Sequence, residues 1–294
     1  MEHLSQETKE LLLLSNTNRI YSIQNSKWIG YSRAKEILGR MEDLLHHPPT
    51  HRMPNLLIVG DTNNGKTVLV NKFTSMHQPF LKEEDGELVI PILYVQSPPE
   101  PDERRFYNVI LDKLFAPYKI SDRVDKKQLQ VIHLLKKVKL KVLIIDEIHH
   151  VLAGTVSKQR LFLNVIKYLS NELEIPIVCT GIKDAYNAIQ SDSQLANRFE
   201  PAVLHRWTMN DEYMRLLASF EYLMPLKNPS FLTEDDIALK ILGMSEGTIG
   251  EISTIIKLAS IDAINNGTEQ ITKKTLSRIK YLSPSDRKKE FYKM

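Results

Sequence analysis

The sequence predicts an α/β fold with a mostly parallel sheet, followed by a smaller all-helical part. Strand-like and helix-like segments alternate from residue 55 to residue 207, which is typical of right-handed crossovers between parallel strands. Beyond Trp207 only helical periodicity remains. A polar loop with two glycines, residues 60–67, separates the first of these strands from the helix after it. These observations predict two domains within 294 residues.

Changes in composition divide the chain into four predicted segments. Residues 1–27 are polar apart from a short leucine block, and we expect an N-terminal arm or helix. Residues 28–207 form the predicted α/β domain, and residues 208–284 form the helical domain. Residues 285–294 are rich in arginine and lysine, which predicts a basic tail.

Composition and charge exclude several classes of protein. No apolar run approaches the roughly 20 residues that span a bilayer, so we expect no membrane segment. The single cysteine, Cys179, excludes an internal disulfide and a cysteine zinc site, and it favours a reducing cytoplasm. The net charge of +3 does not by itself indicate nucleic acid. Lysines nevertheless cluster from Lys126 to Lys141 without an acidic residue.

The segment NLLIVGDTNNGKT contains the pattern G-x-x-x-x-G-K-[ST] between a strand and a helix. In this arrangement loop N–H groups surround phosphate oxygens, and the helix directs its positive dipole end toward the same anion. Lys66 would reach the β- and γ-phosphates, and the Thr67 hydroxyl would bind Mg²⁺. The predicted cofactors are therefore ATP and Mg²⁺. The predicted nucleotide-binding residues are Gly60, Asp61, Thr62, Asn63, Asn64, Gly65, Lys66, Thr67 and Tyr31, whose ring would lean on adenine or pack in the core.

A second buried strand, VLIIDE, ends in two carboxylates. Asp146 would hold Mg²⁺, and Glu147 would orient and deprotonate the attacking water. This acid pair indicates hydrolysis of ATP rather than binding alone. Thr180 ends the next strand, in PIVCTG, where its hydroxyl would bond the attacking water or the γ-phosphate. A structural role at the strand end is the alternative for Thr180.

Further candidates lie outside these two strands. Arg198, in LANRFEP, would reach the γ-phosphate of a neighbouring subunit as an arginine finger. A salt bridge to Asp192 or Glu200 is the alternative. His149 and His150 follow the acid pair, but no further His, Cys or acidic ligands stand at metal spacing nearby. The sequence therefore favours solvent or packing roles for both histidines.

Taken together, these motifs resemble those of AAA+ P-loop ATPases. More narrowly, the chain resembles the TniB/TnsC family of transposition ATPases, and TniB most closely. The segments that carry this resemblance are RMPNLLIVGDTNNGKT, QSPPEPDERRFY, LIIDEIHHVLAG, NELEIPIV and QLANRFEPAVLHRW. The resemblance extends from about Trp28 to about Thr272. It implies an AAA+ α/β core with a mostly parallel sheet and a C-terminal α-helical lid.

The resemblance also implies an activity and partners. The chain would be an Mg²⁺-dependent ATP hydrolase that binds double-stranded DNA non-specifically as an ATP-dependent homo-oligomer, either a ring or a helical filament. It would act as target selector and regulator for a DDE transposase of the TniA/TnsB type, with a TniQ-like protein as a further partner. The expected location is the bacterial cytoplasm, at the nucleoid when DNA is bound, with no membrane partner.

DNA contacts are implied on the loop and helix after the second strand and on the loop before the lysine-rich helix. The matching residues are Arg104, Arg105, Lys119, Ser121 and Arg123. They would contact phosphates and read no bases. A solvated helix face is the alternative reading of these charges.

One departure from the AAA+ pattern concerns the lid. Many relatives have G-x-x-G-R, whose arginine contacts the γ-phosphate, but here Gly247–Gly250 is followed by Glu251. A carboxylate repels phosphate, so closure on ATP would depend on Arg198 of a neighbour or on another base.

Other functions are compatible with the same motifs. A replication or helicase-loader AAA+ ATPase is one alternative, and a protein-only switch without DNA contact is another. The run Asp146–His149 suggests a DExH helicase. That class needs two RecA-like domains of about 150 residues each, whereas the sequence predicts one phosphate-binding core.

Overall fold

The computed structural model describes residues 2–25, 27–190 and 192–292. Its helices and strands, in chain order, are α1 (Gln6–Leu11), α2 (Asn16–Gln24), α3 (Ser32–Leu45), β1 (Asn55–Gly60), α4 (Lys66–Met76), β2 (Phe80–Leu81), β3 (Leu88–Val89), β4 (Ile92–Gln96), α5 (Glu103–Lys113), α6 (Val124–Lys137), β5 (Val142–Asp146), α7 (Val156–Leu173), β6 (Ile177–Gly181), α8 (Lys183–Gln190), α9 (Ser193–Ala196), β7 (Phe199–Leu204), α10 (Asp211–Leu223), α11 (Asp235–Ser245), α12 (Ile249–Asn265), α13 (Lys273–Arg278) and α14 (Pro284–Phe291). A 3₁₀ helix, Ile148–Ala153, follows β5.

The chain divides into two compact units. The α/β unit is Arg33–Leu204, and the helical unit combines Met1–Ser32 with His205–Met294. The predicted N-terminal arm, residues 1–27, contributes α1 and α2 to the helical unit, and the predicted basic tail, residues 285–294, lies largely within α14. Met1, Ser26, Lys293 and Met294, which these two predictions include, lie outside the described residues.

A five-stranded parallel sheet forms the centre of the α/β unit, in the order β4-β5-β6-β1-β7. This confirms the predicted mostly parallel sheet. Every residue of β1, β5 and β6 is buried, as expected for strands covered by helices on both faces. Because the strands are parallel, their carboxyl ends meet at one edge. The phosphate loop after β1 and the acid pair after β5 therefore lie at the same edge, with the end of β6 between them.

Two strand boundaries differ from simple readings of the sequence. The apolar run 88–95 is not one strand, because Pro91 lies inside it: Leu88 and Val89 form β3, which pairs antiparallel with β2, and pairing in the main sheet begins at Ile92. The sequence predicts the last strand at 202–207, but β7 begins three residues earlier. It does so because Phe199 already pairs with Asn55 of β1.

The helical unit has a separate core, built mainly from α10, α11 and α12 with Ile23 of α2. A buried ion pair attaches the N-terminal part of this unit. Arg19, on α2, donates from Nη1 to Oε1 of Glu269 at 2.8 Å and from Nε to the Pro225 carbonyl at 3.2 Å. Arg19 is 1% exposed. In the described part of the chain, no helix combines the length and the apolar composition that crossing a membrane requires.

Candidate nucleotide-binding site

The phosphate loop is shaped by two glycines and one asparagine. Gly65 has φ of 86°, a left-handed conformation that favours glycine, and it stands immediately before α4. A Cβ on Gly60 would lie 3.1 Å from Cβ of Leu204, at the end of β7. The buried Asn64 donates from Nδ2 to the Leu204 carbonyl at 2.8 Å. The loop is thus held against β7 on one side and opens on the other.

A cavity of about 370 Å³ lies over this loop. Its lining consists of residues 62–68 together with Glu147, His149 and Ile182. All of these residues belong to the α/β unit. The volume is within the range of about 300–1,000 Å³ that is usual for small-molecule sites.

Lys66 is buried at the base of the cavity. Its Nζ donates to the carbonyl oxygens of Gly60 and Asp61, both at 2.9 Å. Burial lowers the pKa of Lys66, while the carboxylates of Glu147 and Asp146 partly oppose that effect. An anion above the loop would favour the charged ammonium, so the site is electrostatically suited to a phosphate.

Asp146 accepts hydrogen bonds from four groups. Its Oδ2 accepts from Thr67 Oγ1 at 3.1 Å and from the Tyr94 hydroxyl at 2.7 Å. Its Oδ1 accepts from Thr180 Oγ1 and from the Glu147 backbone N–H. The carboxylate is 3% exposed, and these donors fix its orientation.

The same oxygen atoms fit Mg²⁺. A hard dication of this size prefers oxygen ligands and usually keeps several waters. The Thr67 hydroxyl and the Asp146 carboxylate lie 3.1 Å apart beside the phosphate loop. Both are therefore suited to hold one magnesium ion, as the sequence predicts.

Tyr94 is the site residue that sequence reasoning missed. Burial and the hydrogen bond to Asp146 raise the pKa of the Tyr94 hydroxyl, so it acts as a donor at neutral pH. The signal that identifies Tyr94 is the pairing of β4 with β5. Tyr94 stands two residues before Gln96, which pairs with Asp146, and side chains two apart on a strand share a face. Without the strand register, however, nothing connects Tyr94 to Asp146.

Glu147 is the N-cap of the 3₁₀ helix and has φ of 57°, an unusual conformation for a residue other than glycine. Its side chain is 30% exposed, and Oε2 lies 3.1 Å from Nδ1 of His149. Burial lowers the pKa of His149, with Glu147 acting in the opposite direction. The imidazole is therefore neutral at neutral pH. Glu147 borders the cavity, where a base would need to be.

Arg198 lies away from this cluster, between α9 and β7. Its Nη1 donates to Oδ1 of Asn171 on α7 at 2.6 Å. The two acids considered as alternative partners are engaged elsewhere: Asp192 pairs with Lys167, and Glu200 pairs with Arg40. The trans role of Arg198 stays a prediction.

Two of the sequence-derived candidates belong to the helical unit. Tyr31 packs edge-to-face on Trp207, with ring centroids 5.0 Å apart, and its contact with adenine stays a prediction. Glu251, at the lid position where relatives have arginine, is buried. It pairs with Arg287 and accepts a hydrogen bond from the Tyr281 hydroxyl at 2.5 Å. This carboxylate therefore connects α12 to the C-terminal helix α14.

The residues predicted to contact DNA are all exposed. Arg104 and Arg105 lie in the first turn of α5, whose N-cap is Asp102. Lys119, Ser121 and Arg123 lie in the loop between α5 and α6. The ion pairs in these segments are on the surface, such as Arg123 with Asp125 at 2.8 Å. Such pairs are worth little, so these cations can exchange partners at low free-energy cost.

A buried lysine holds that loop in place. Lys127 is fully buried, and its Nζ donates to Asn108 Oδ1 at 2.7 Å and to the Ile120 carbonyl at 3.3 Å. The ammonium also lies over the Tyr118 ring, 4.8 Å from its centroid. Lys127 thus fixes the backbone that carries Lys119 and Ser121. The sequence indicated only a cluster of lysines here.

Comparison with known proteins supplies a family and a fold. A family model described as "Bacterial TniB protein" matches residues 19–209. No curated protein matches the sequence. Solved structures similar to this chain include the Aeropyrum pernix ORC2 protein in its ADPNP–ADP complexes, with 13% identity and a TM-score of 0.60 over 86% of this chain and 69% of that one.

Two further solved structures give the same result. The Aeropyrum pernix ORC1 protein in complex with DNA has 12% identity and a TM-score of 0.56, over 92% of this chain and 69% of that one. Thermotoga maritima RuvB has 19% identity and a TM-score of 0.51, over 85% of this chain and 68% of that one. At these identities the likeness shows the fold alone. It confirms an AAA+ P-loop ATPase fold with a helical C-terminal part.

Proposed function

Because the chain belongs to the TniB family of bacterial proteins, and because it has an AAA+ ATPase fold, we propose that it is an Mg²⁺-dependent ATPase of DNA transposition. In this proposal it binds double-stranded DNA non-specifically as an ATP-dependent homo-oligomer. It then selects targets for a DDE transposase of the TniA/TnsB type, with a TniQ-like protein as a further partner.

The observation that carries the hydrolytic part is the hydrogen-bond cluster around Asp146. Thr67, from the phosphate loop, and Thr180, from the end of β6, both donate to this one carboxylate. Phosphoryl transfer depends mainly on positioning and on stabilising charge. A carboxylate already oriented toward the phosphate loop supports such positioning.

Each residue then has a proposed role. Lys66 binds the β- and γ-phosphates, and Mg²⁺ bound to Thr67 and Asp146 would neutralise developing charge. Glu147 accepts a proton from the attacking water, and Thr180 orients that water or the γ-phosphate. Arg198 acts on the ATP of a neighbouring subunit, which would make turnover depend on assembly.

The DNA-binding part rests on charge and exposure. Arg104, Arg105, Lys119 and Arg123 are exposed cations, and the buried Lys127 fixes the loop that carries two of them. The similar ORC1 structure contains DNA, which is consistent with this proposal. Contacts of this kind bind phosphates and give little base preference.

The decisive experiment measures DNA binding and ATP hydrolysis in the same preparation. We expect filter binding of plain duplex DNA to require ATP and to weaken steeply between about 50 and 200 mM salt. Arg104→Glu with Arg105→Glu should abolish DNA binding and leave nucleotide binding intact. Lys136→Glu with Lys137→Glu, at the far end of α6, is the matched charge control.

Three outcomes would contradict the proposal. If the affinity for DNA were the same with and without ATP, or at low and high salt, the ATP-loaded oligomer would not be the form that binds DNA. Strict sequence specificity would contradict phosphate-only contacts. ATP hydrolysis with no DNA binding under any condition would favour a protein-only switch.

A further inference from the structure

Three side chains of metal-ligand type meet on the 3₁₀ helix that follows β5. Glu147, His149 and His150 each offer one ligand atom, and these atoms lie within 4.8 Å of one another. The cause is local. The His150 backbone N–H donates to the Glu147 carbonyl at 3.0 Å, so the chain turns tightly after the left-handed N-cap Glu147 and brings both histidines near its side chain. The sequence spacing alone did not reveal this, because the 3₁₀ helix was not expected.

His149 contributes a buried polar atom that lacks a hydrogen bond. Among the described residues, its Nδ1 has no hydrogen-bond partner, although it lies 3.1 Å from Oε2 of Glu147. A buried polar atom without such a bond costs free energy. A cation shared by Nδ1 and Oε2 would satisfy both atoms.

His150 is oriented by a separate contact. Its Nδ1 lies 3.4 Å from the Ser97 carbonyl oxygen, and donation from Nδ1 leaves Nε2 as the ligand atom. Metal-binding histidines usually donate their second ring N–H to a carbonyl or carboxylate. The rings of His149 and His150 have centroids 4.8 Å apart, so the two imidazoles lie beside each other.

We propose that Glu147, His149 and His150 form a binding site for a transition-metal dication, Zn²⁺ in particular. Two imidazole nitrogens and one carboxylate oxygen form a common three-residue zinc set, whereas Mg²⁺ prefers oxygen ligands. Tetrahedral Zn²⁺, with bonds of about 2.0–2.1 Å, holds its ligand atoms about 3.3 Å apart. The 3.1 Å contact between His149 and Glu147 is close to that separation. Because the ligand atoms all lie within 4.8 Å of one another, a shift of at most about 1.5 Å closes the set, which is within the reach of side-chain rotation.

Occupancy of this site would regulate the proposed reaction. The consequence rests on the proposed function, in which Glu147 accepts a proton from water. Zn²⁺ bound to that carboxylate favours its ionised form and so lowers its affinity for the proton. Hydrolysis would then stop while the phosphate loop remained able to bind ATP, so zinc would retain the ATP-loaded state.

The test uses Co²⁺ as a spectroscopic substitute for Zn²⁺, on the full chain without nucleotide. We expect one Co²⁺ per chain, with the intense visible absorption of a four- or five-coordinate ion, and its displacement by one equivalent of Zn²⁺. His149→Ala and His150→Ala should each weaken binding about tenfold or more. His133→Ala, which removes an exposed histidine of α6, should bind as the parent does. Nucleotide binding by each variant verifies folding.

A second measurement addresses regulation. With saturating Mg²⁺ and ATP, micromolar Zn²⁺ should inhibit hydrolysis by the parent and by His133→Ala. The ratio of rates with and without zinc should be close to one for His150→Ala. Equal Co²⁺ spectra for the parent and His150→Ala would overturn the site, as would absence of the absorption in the parent. Because Co²⁺ binding is read without ATP, a parent that binds cobalt but hydrolyses nothing would refute the proposed function and leave the metal site standing.

Discussion

Thr67 Oγ1 donates a hydrogen bond to Asp146 Oδ2 at 3.1 Å, joining two residues that are 79 positions apart in the chain. The contact unites the phosphate loop with the end of β5, two strands away in the sheet. Both side chains are oxygen ligands suited to Mg²⁺. If they share one ion, the loss of either should reduce the magnesium-dependent part of nucleotide binding.

Thr67→Ala should therefore separate magnesium binding from phosphate binding. We expect the affinity for ATP in EDTA to change little, because Lys66 and the loop N–H groups remain. The gain in affinity on adding Mg²⁺ should fall about tenfold. Titration with a fluorescent ATP analogue measures both values, and Thr67→Ser, which keeps the hydroxyl, is the control. An equal magnesium gain in Thr67→Ala and the parent would exclude Thr67 as a ligand.

Lys66→Ala and Glu147→Gln should fail at different steps. Lys66→Ala removes the cation of the phosphate loop, and we expect loss of nucleotide binding. Glu147→Gln keeps the shape of the side chain but cannot accept a proton, so ATP should bind normally while turnover falls about 10²-fold or more. Single-turnover hydrolysis and equilibrium binding distinguish the two variants. If Glu147→Gln hydrolysed ATP at the rate of the parent, Glu147 would not be the general base.

Arg198→Ala should lose turnover while each subunit still binds ATP. An arginine finger contributes about 10³-fold or more to the rate, and among the described residues the Arg198 guanidinium donates to a neutral partner, Asn171. Mixing Arg198→Ala with Lys66→Ala subunits tests the trans role, because a mixed boundary then combines an intact loop with an intact arginine. We expect partial recovery of activity. Recovery that is absent at every mixing ratio would argue that Arg198 acts within its own subunit or not at all.

Lys127→Met should loosen the loop that carries Lys119 and Ser121. The substitution keeps the length of the side chain but leaves Asn108 Oδ1 and the Ile120 carbonyl without their donor. We expect a loss of about 1–3 kcal/mol of stability and faster hydrogen exchange in residues 118–123. Lys126→Met is the matched control, since its ammonium pairs with Asp122 on the surface and its loss should cost under about 0.5 kcal/mol. Equal hydrogen-exchange rates in residues 118–123 of the two variants would show that Lys127 does not hold this loop in place.

Arg19→Met should destabilise the helical unit in a pH-dependent way. Burial raises the pKa of Glu269, but the contacts with Arg19 and Lys227 outweigh it, and the pKa lies below the ordinary value of 4.5. The pair therefore contributes stability above about pH 4.5, and this contribution is lost as the pH falls through the folded-state pKa. We expect Arg19→Met to cost about 3 kcal/mol or more at pH 7, because a buried carboxylate loses its partner.

Urea unfolding at several pH values measures this effect. The difference between the parent and Arg19→Met should shrink as the pH falls through the folded-state pKa of Glu269, which lies below 4.5 in the parent, because the carboxyl is then neutral in both proteins. Lys289→Met, which removes an exposed i,i+3 pair with Asp286 in the same unit, is the control. A difference that stays constant with pH would mean that Arg19 stabilises the unit through packing alone.

The sequence was sufficient where function is encoded in short contiguous segments. The phosphate loop, the acid pair after β5 and Thr180 after β6 follow buried strands, and parallel strands bring their carboxyl ends to one edge. This order of motifs predicted the parallel sheet and the position of Asp146 beside the phosphate loop, but not the hydrogen bonds from Thr180 and Tyr94 to Asp146. The family and the AAA+ fold predicted from them are confirmed.

The remaining features depend on contacts between distant residues. Arg19 and Glu269 are 250 positions apart, so no local pattern could assign α2 to the helical unit. Tyr94 joins the site through the β4–β5 register, and Lys127 is buried although lysine is normally exposed. The 3₁₀ helix that assembles Glu147 with His150 begins at a left-handed residue, which helical periodicity does not predict.

Asn64 holds the carbonyl of Leu204, and Leu204 is the last residue of the α/β unit. The chain therefore leaves the α/β unit at a residue that the phosphate loop holds by a hydrogen bond. The same Asn64 side chain thus shapes the phosphate loop and holds the last residue of the α/β unit.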